Sequence, residues 1–271
     1  MFHNLLKIVF IYLPMAALLT LAGCARTPWV GSIDEDQFPA GERNFNDMLV
    51  ASRQCEPSLD GELLVTWSSA LETVSFSGYF QLLLPTLFKF TTYNPLGQPL
   101  FAFASDGKSF QSVNSVSKKF IGGSLRSYGI RHDLPPTFIH GQWGYWLTGR
   151  LVIPASYVLE IRNDSEDRGL WYAVAASENA SLPNEYILID TSNRRVLERI
   201  IMDKKGKQLA CMTYDNWQAI GECDQPLSIT VAGLSFGTRA DLALSELEAT
   251  SFVGKDFRIP YPPSYFRQYW P

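Results

Sequence analysis

Phe90-Thr91-Thr92-Tyr93-Asn94-Pro95-Leu96-Gly97-Gln98-Pro99-Leu100-Phe101-Ala102-Phe103 is the stretch on which the fold of this chain turns. Two runs rich in β-branched and aromatic residues, Thr86 to Tyr93 and Gln98 to Ala104, flank a turn of Asn, Pro, Leu and Gly. Asn and Pro favour turn dihedrals and Gly supplies a positive φ, so the pattern spells strand, tight loop, strand. Leu96 is out of place there, because a large aliphatic side chain at a turn apex has little to pack against.

Working outward, the same composition recurs. Glu62 to Ser68 and Glu72 to Leu84 lie upstream. Downstream come Tyr157 to Arg162, Gly169 to Ala175, Glu185 to Asp190, Arg195 to Met202, Gln208 to Tyr214, Leu227 to Val231 and Asp241 to Glu248. Turn residues such as Asp106-Gly107 and Asp203-Lys204-Lys205-Gly206 separate several of them. The middle differs. Val113, Val116, Phe120, Leu125 and Tyr128 keep near-helical spacing despite Gly122-Gly123, which costs a helix about 1 kcal/mol per glycine. Pro135-Pro136 opens a second helical stretch with Ile139, Trp143, Trp146 and Leu147 on one face. Asn46 to Gln54 reads as a short helix. About eleven strands in runs, with helices grouped in the middle, give an α+β fold with an antiparallel sheet.

The chain has 271 residues, 23 Lys+Arg against 27 Asp+Glu and a net charge of −4. That balance excludes a nucleic-acid-binding surface built on excess base. With 46% hydrophobic but only 18% charged residues, apolar surface has to be buried or used. Met1 to Gly23 holds one base, Lys7, and no acid. An apolar run from Ile8 to Leu19 precedes Leu21-Ala22-Gly23-Cys24. A short basic start and a short apolar run before small residues make a secretory signal over residues 1–23. Its ending resembles the lipobox of bacterial lipoproteins, which implies diacylglycerol on Cys24. Each buried methylene contributes about 0.8 kcal/mol, so two acyl chains make a stable anchor. No Asp follows Cys24, which points to the outer membrane, periplasmic side. The remaining organisation reads as tether and short helix over 24–58, barrel over 59–250 and a Pro/aromatic strap over 251–271.

Besides Cys24, three cysteines remain, an odd number for an oxidising compartment. Cys211 and Cys223 lie twelve apart around the polar stretch Tyr214 to Gly221, and are read as a disulfide across a hairpin that leaves Cys55 unpaired. No Cys-x-x-Cys and no His-x-x-x-His is present, which argues against a metal site.

Several motifs together resemble the LolB family of outer-membrane lipoprotein receptors. They are the Phe90–Phe103 stretch, then Asp106-Gly107, Leu134-Pro135-Pro136-Thr137-Phe138, and Gln142, Trp146 and Gly149. The meander from Asp190 through Arg195, Arg199, Asp203, Gly206 and Tyr214 to Trp217, with Pro226 to Ile229, resembles the wider LolA/LolB carrier and receptor fold. The resemblance covers roughly residues 60–248; the greater length, the aromatic strap and the extra cysteines depart from it. It implies an open, incomplete antiparallel β-barrel with helices over an apolar concave face. It also implies acceptance of lipoprotein acyl chains from a LolA-like periplasmic carrier, delivery into the outer membrane, no cofactor and no bond cleavage.

One acyl chain of about fifteen methylenes is worth roughly 12 kcal/mol in a bilayer, and a reversible carrier must nearly match that. Phe101, Phe103, Phe120, Trp143 and Trp146 are the candidate wall of such a cavity. Asn94, Pro95, Leu96 and Gly97 are the candidate membrane-contact loop. The competing expectation is an envelope assembly or adaptor lipoprotein using the same fold for protein docking. Enzyme readings find little support: Gly-x-Ser-x-Gly, a P-loop and a dinucleotide glycine motif are all missing from the sequence. His132-Asp133 is the one adjacent acid–base pair, and it sits beside Pro135-Pro136. The acidic stretch Asp164 to Asp167 reads as solvated.

Overall fold

The computed structural model describes residues 27–271 apart from 133, 140, 152–156 and 235–236. The signal stretch, the lipobox and Cys24, as well as Asp133 of the acid–base pair, lie outside these residues.

Most of the extended runs become strands because alternate side chains find a buried face, whereas residues 29–32, 73–79 and 266–270 bury none of their side chains fully and are held by ladder pairing. The first half gives β1 (Trp29–Ser32), β2 (Ser58–Ser68), β3 (Thr73–Leu83), β4 (Leu87–Tyr93), β5 (Pro99–Ser105), β6 (Ser109–Asn114) and β7 (Lys119–Ser124). The second half gives β8 (Tyr157–Asp164), β9 (Leu170–Ala175), β10 (Glu185–Asp190), β11 (Arg195–Met202), β12 (Gln208–Ile220), β13 (Cys223–Leu234), β14 (Thr238–Ala249) and β15 (Phe266–Trp270). They form one 15-stranded sheet in the order β1-β8-β9-β10-β11-β12-β13-β14-β2-β3-β4-β5-β6-β7-β15, rather than about eleven strands. The sheet is not closed, for β1 and β15 stand at its two edges. Among the described residues only β15 on β7 pairs parallel.

The extra strands come from segments that composition disguised. Residues 29–32, read as tether, pair with β8. Residues 266–270, read as strap, pair with β7. Of the stretch from Val113 to Tyr128, read as helical, the part up to Ser124 belongs to the β6–β7 hairpin, and only Leu125 to Tyr128 are helical. Its Val113 and Phe120 lie seven apart and face each other across the ladder, so cross-strand pairing imitates a helical repeat. Gly123 serves the sheet here: a Cβ at that position would stand 2.0 Å from the Trp270 carbonyl, so any side chain would push β15 away.

Four α-helices are described: α1 (Phe38–Gln54), α2 (Leu125–Arg131), α3 (Pro136–Ile139) and α4 (Trp143–Leu147). α1 starts eight residues before the expected Asn46, because Pro39 is well placed in a first turn. It lays Phe45, Met48 and Leu49 on the concave face, where Phe45 meets Tyr172 with ring centroids 5.2 Å apart. The Ser124 hydroxyl caps α2 by accepting the Ser127 N–H at 3.1 Å. The expected second helix is split into α3 and α4. Gly141 lies between them, and a Cβ there would stand 2.5 Å from the Trp146 ring.

The disulfide joins Cys55 to Cys223, and Cys211 is free. Register rules out the expected Cys211–Cys223 pair. Across β12 and β13, Cys211 faces Ala232 while Cys223 faces Ile220. The two cysteines are nine positions apart along the ladder, about 30 Å at the usual rise per residue.

Candidate functional site

The ladders divide the described turns between two rims. The β2–β3, β4–β5 and β6–β7 turns share one rim with the β9–β10 connection and the β11–β12 turn. The β3–β4, β5–β6, β8–β9, β10–β11 and β12–β13 turns share the other. Strand β1 begins at that second rim, where Trp29 faces Asp164.

The first rim carries three adjacent aliphatic apices. Leu71 is 97% exposed, Leu96 82% and Val116 76%. Their hairpins follow one another in the sheet, so at two strand spacings each they lie about 10 Å apart. Backbone bracing, not packing, holds each apex. The Asn94 carboxamide oxygen accepts the N–H groups of Leu96 and Gln98 at 3.0 and 2.9 Å. The Ser69 hydroxyl accepts those of Leu71 and Glu72 at 3.3 and 3.1 Å. Asn114 accepts the Ser117 N–H at 2.9 Å. Such Asx- and Ser-type turns fix the loop without using the apex side chain. Lys118, Lys204, Lys205 and Lys207 are also exposed on this rim, with Glu72, Glu178 and Asp203 among its acids.

The sequence singled out only one of these apices. Leu71 and Val116 were missed, although Ser68-Ser69-Ala70-Leu71-Glu72 and Asn114-Ser115-Val116-Ser117 show the same signal as the Asn-Pro-Leu-Gly turn: one aliphatic residue among turn formers.

The five expected cavity residues do not converge. Phe103 faces Phe90 across the β4–β5 ladder, and Phe90 belongs to the main core, so Phe101 and Phe103 look toward the concave side. Phe120 faces Val113, which faces Ala102. That row lies on the other face of the sheet, because side chains alternate. There Phe120 stacks on Tyr261 of the C-terminal segment at 4.0 Å, and Ile259 and Tyr265 complete the cover. Trp143 and Trp146 do stay together, with centroids 5.0 Å apart. Both pack against Phe138 of α3, and the Trp143 indole N–H donates to the Phe138 carbonyl at 2.7 Å.

Beside α4, an apolar cleft lies over β2, β3, β4 and β14. Leu59, Leu63, Phe80, Leu82, Phe88 and Leu147 are among its lining residues. Its free volume is about 10 Å³, room for about one water. In this structure the cover rests on the sheet. A buried polar tie secures the end of the cover. Arg199 is fully buried, donating to the Glu185 carboxylate at 2.5 Å and to the Arg150 carbonyl at 2.9 Å. Burial opposes its charge, but Glu185 and Tyr214 more than restore it and raise its pKa.

The second rim is polar and tightly tied. Asp164, expected in a solvated acidic loop, is 1% exposed. Its carboxylate accepts from the Arg168 guanidinium at 2.9 and 3.0 Å and from the Trp171 indole at 2.8 Å. Burial alone would raise its pKa. The hydrogen bonds from Arg168, Trp171 and the backbone N–H groups of Arg168 and Glu166 outweigh burial and hold it at about 2.

No protein-family model and no curated protein matches this sequence. Solved structures do match it. A LolA superfamily protein from Nitrosomonas europaea is 15% identical with a TM-score of 0.53, covering 79% of this chain and 97% of its own. A structure described as an outer membrane lipoprotein-sorting protein domain, from Vibrio parahaemolyticus, is 14% identical with a TM-score of 0.50, covering 79% and 94%. A DUF1329 family protein from Desulfovibrio piger is 10% identical with a TM-score of 0.52, covering 80% and 98%. At such identities the likeness defines the fold: this chain has the LolA-like open barrel. The likeness does not single out the LolB branch.

Proposed function

We propose that the chain is an envelope lipoprotein, anchored through Cys24, that handles lipoprotein acyl chains at a bilayer. The observation that carries this reading is the rim on which Leu71, Leu96 and Val116 project from braced turns, with Lys118 beside Val116 and further exposed lysines on the β11–β12 turn. Burying a leucine-sized side chain contributes about 1.5–3 kcal/mol, and each lysine near an anionic surface adds about 1 kcal/mol. Three tips and a few lysines therefore suffice for reversible lipid contact. The LolA-like fold supports acyl handling. A chain would lie in the apolar cleft over β2–β4 and β14 once α3 and α4 move off the sheet. It would arrive from a LolA-like periplasmic carrier and leave into the outer membrane. No cofactor and no bond cleavage form part of this reading.

A specific observation favours a second reading. The cleft leaves about 10 Å³ free, as in a filled scaffold, and a docking adaptor needs no more. Residues 27–271, purified without the anchor, separate the two. Mass spectrometry for co-purifying lipid and titration with a fluorescent sixteen-carbon fatty acid test the cleft. Co-sedimentation with phosphatidylethanolamine/phosphatidylglycerol vesicles tests the rim. Stoichiometric acyl binding together with vesicle binding is the expected result. Vesicle binding without acyl binding selects the adaptor, and failure of both sinks either reading.

A further inference from the structure

A groove at the second rim has a lining distinct from that of the apolar cleft. The last turn of α1, residues 193–196 and the β12–β13 turn enclose about 380 Å³ there, within the range of small-molecule sites. The Cys55–Cys223 disulfide forms part of its wall, so the helix end and the hairpin that bound it are covalently fixed to each other.

Arg150 lines the groove and is only 5% exposed. One of its terminal nitrogens donates to the Glu56 carbonyl at 2.7 Å, while its Nε–H is buried and unpartnered. Among the described residues no carboxylate comes within ion-pair distance of it. A buried cation with a carbonyl as its hydrogen-bond partner among the described residues, and with Glu56 and Tyr145 acting on it only at longer range, is costly, since native structures match such charges. Burial pulls the Arg150 guanidinium down to about 10, offset in part by Tyr145 and Glu56.

The other charges of the groove are unevenly used. Arg195 is matched, lying 2.7 Å from the Asp224 carboxylate and 5.6 Å over the Trp217 ring. Arg194 is exposed at the mouth and forms no ion pair with the described residues, and Glu222 and Glu56 are exposed acids nearby. Trp217 offers an aromatic wall next to these cations.

We infer that this groove binds a small molecule bearing an oxyanion, with Arg150 as its buried anchoring cation, Arg194 as a second cation and Trp217 as the wall for the organic part. Guanidinium forks suit phosphate and carboxylate geometry, and a bound oxyanion would supply the ion-pair partner that no described residue gives Arg150. This inference does not depend on acyl-chain handling.

Calorimetric titration of residues 27–271 with sodium phosphate and, separately, with sn-glycerol 3-phosphate tests it. One saturable site is expected, weakened about tenfold by Arg194→Gln and lost in Arg150→Met. Arg194 is exposed, so its variant keeps the test open if Arg150→Met does not fold. Binding of both probes assigns a free oxyanion. Binding of glycerol phosphate alone, reduced by Trp217→Leu, assigns a lipid-type head group. Absence of a saturable site for both probes, or equal affinity in the original chain and Arg194→Gln, overturns the inference. Neither probe carries an acyl chain, so that outcome leaves the acyl-binding result untouched.

Discussion

The two rims of this open barrel are made from the same turn chemistry and present opposite surfaces. At one, Asn94, Ser69 and Asn114 brace loops whose apices are Leu96, Leu71 and Val116. At the other, Asp106 accepts the N–H groups of Lys108 and Ser109, and Asp190 those of Ser192 and Asn193, in turns whose central residues are Gly, Lys, Ser and Asn. Bracing by a side-chain oxygen makes a loop rigid whatever its apex. The apex is then free to be chosen for what it meets. The first rim is a set of stiff apolar points; the second is a polar end pinned by a disulfide and a buried carboxylate.

The largest expected effect comes from unpinning the second rim. The Cys55–Cys223 bond spans a sequence separation of 168, and a cross-link over so long a loop contributes about 4 kcal/mol. Replacing both cysteines by serine should lower the melting temperature by about 10 °C in a thermal melt and weaken anion binding in the groove. Vesicle binding at the far rim should survive. If vesicle binding falls in step, the rims are not independent. A non-reduced digest should show the Cys55 and Cys223 peptides joined, with Cys211 alkylated only after unfolding.

Next comes Asp164. Its folded pKa of about 2 lies below the ordinary 3.8, so its contribution is present above pH 4 and is lost as pH falls toward 2. The gap corresponds to about 2 kcal/mol. Asp164→Asn should cost about that much at pH 7 in chemical denaturation and almost nothing at pH 2. An equal cost at both pH values would mean that packing, not charge, gives Asp164 its value.

The smallest effect on stability is expected at the first rim. Leu96→Glu, and the triple change with Leu71→Glu and Val116→Glu, should alter unfolding free energy by less than about 0.5 kcal/mol per site. The same changes should abolish vesicle co-sedimentation, with the triple variant failing even at low salt. A clear loss of stability would show that these side chains pack in solution, and the contrast between the rims would fail.

Local pattern revealed most strands but not their partners. The runs of β10 and β11 were readable residue for residue, because each is a strand with an ordinary turn beside it. The β6–β7 hairpin was not, since Val113 and Phe120 satisfy a helical repeat and a cross-strand pair equally well. The start of α1 was hidden by Pro39 and Gly41, which usually mark loops. At Gly41 a Cβ would stand 2.7 Å from the end of the Ile161 side chain, a close approach made only after folding. Of the candidate residues, Leu96 stood out because a turn apex is a local property. The proposed aromatic wall failed because face assignment depends on register, and one step of register moves a side chain to the other side of the sheet.

Sequence alone determined the strand-rich class, the turn at residues 94–97 and the exposure of its leucine, all of which depend on a few neighbouring residues. Tertiary structure decided the rest: fifteen strands in one sheet, Cys55 rather than Cys211 as partner of Cys223, and Phe120 on the face away from Phe103. It also aligned Leu71, Leu96 and Val116 on one rim and placed the unmatched Arg150 at the other. These are relations between segments distant along the chain, fixed by ladder register and by which buried surfaces fit together, and no local window of sequence contains them.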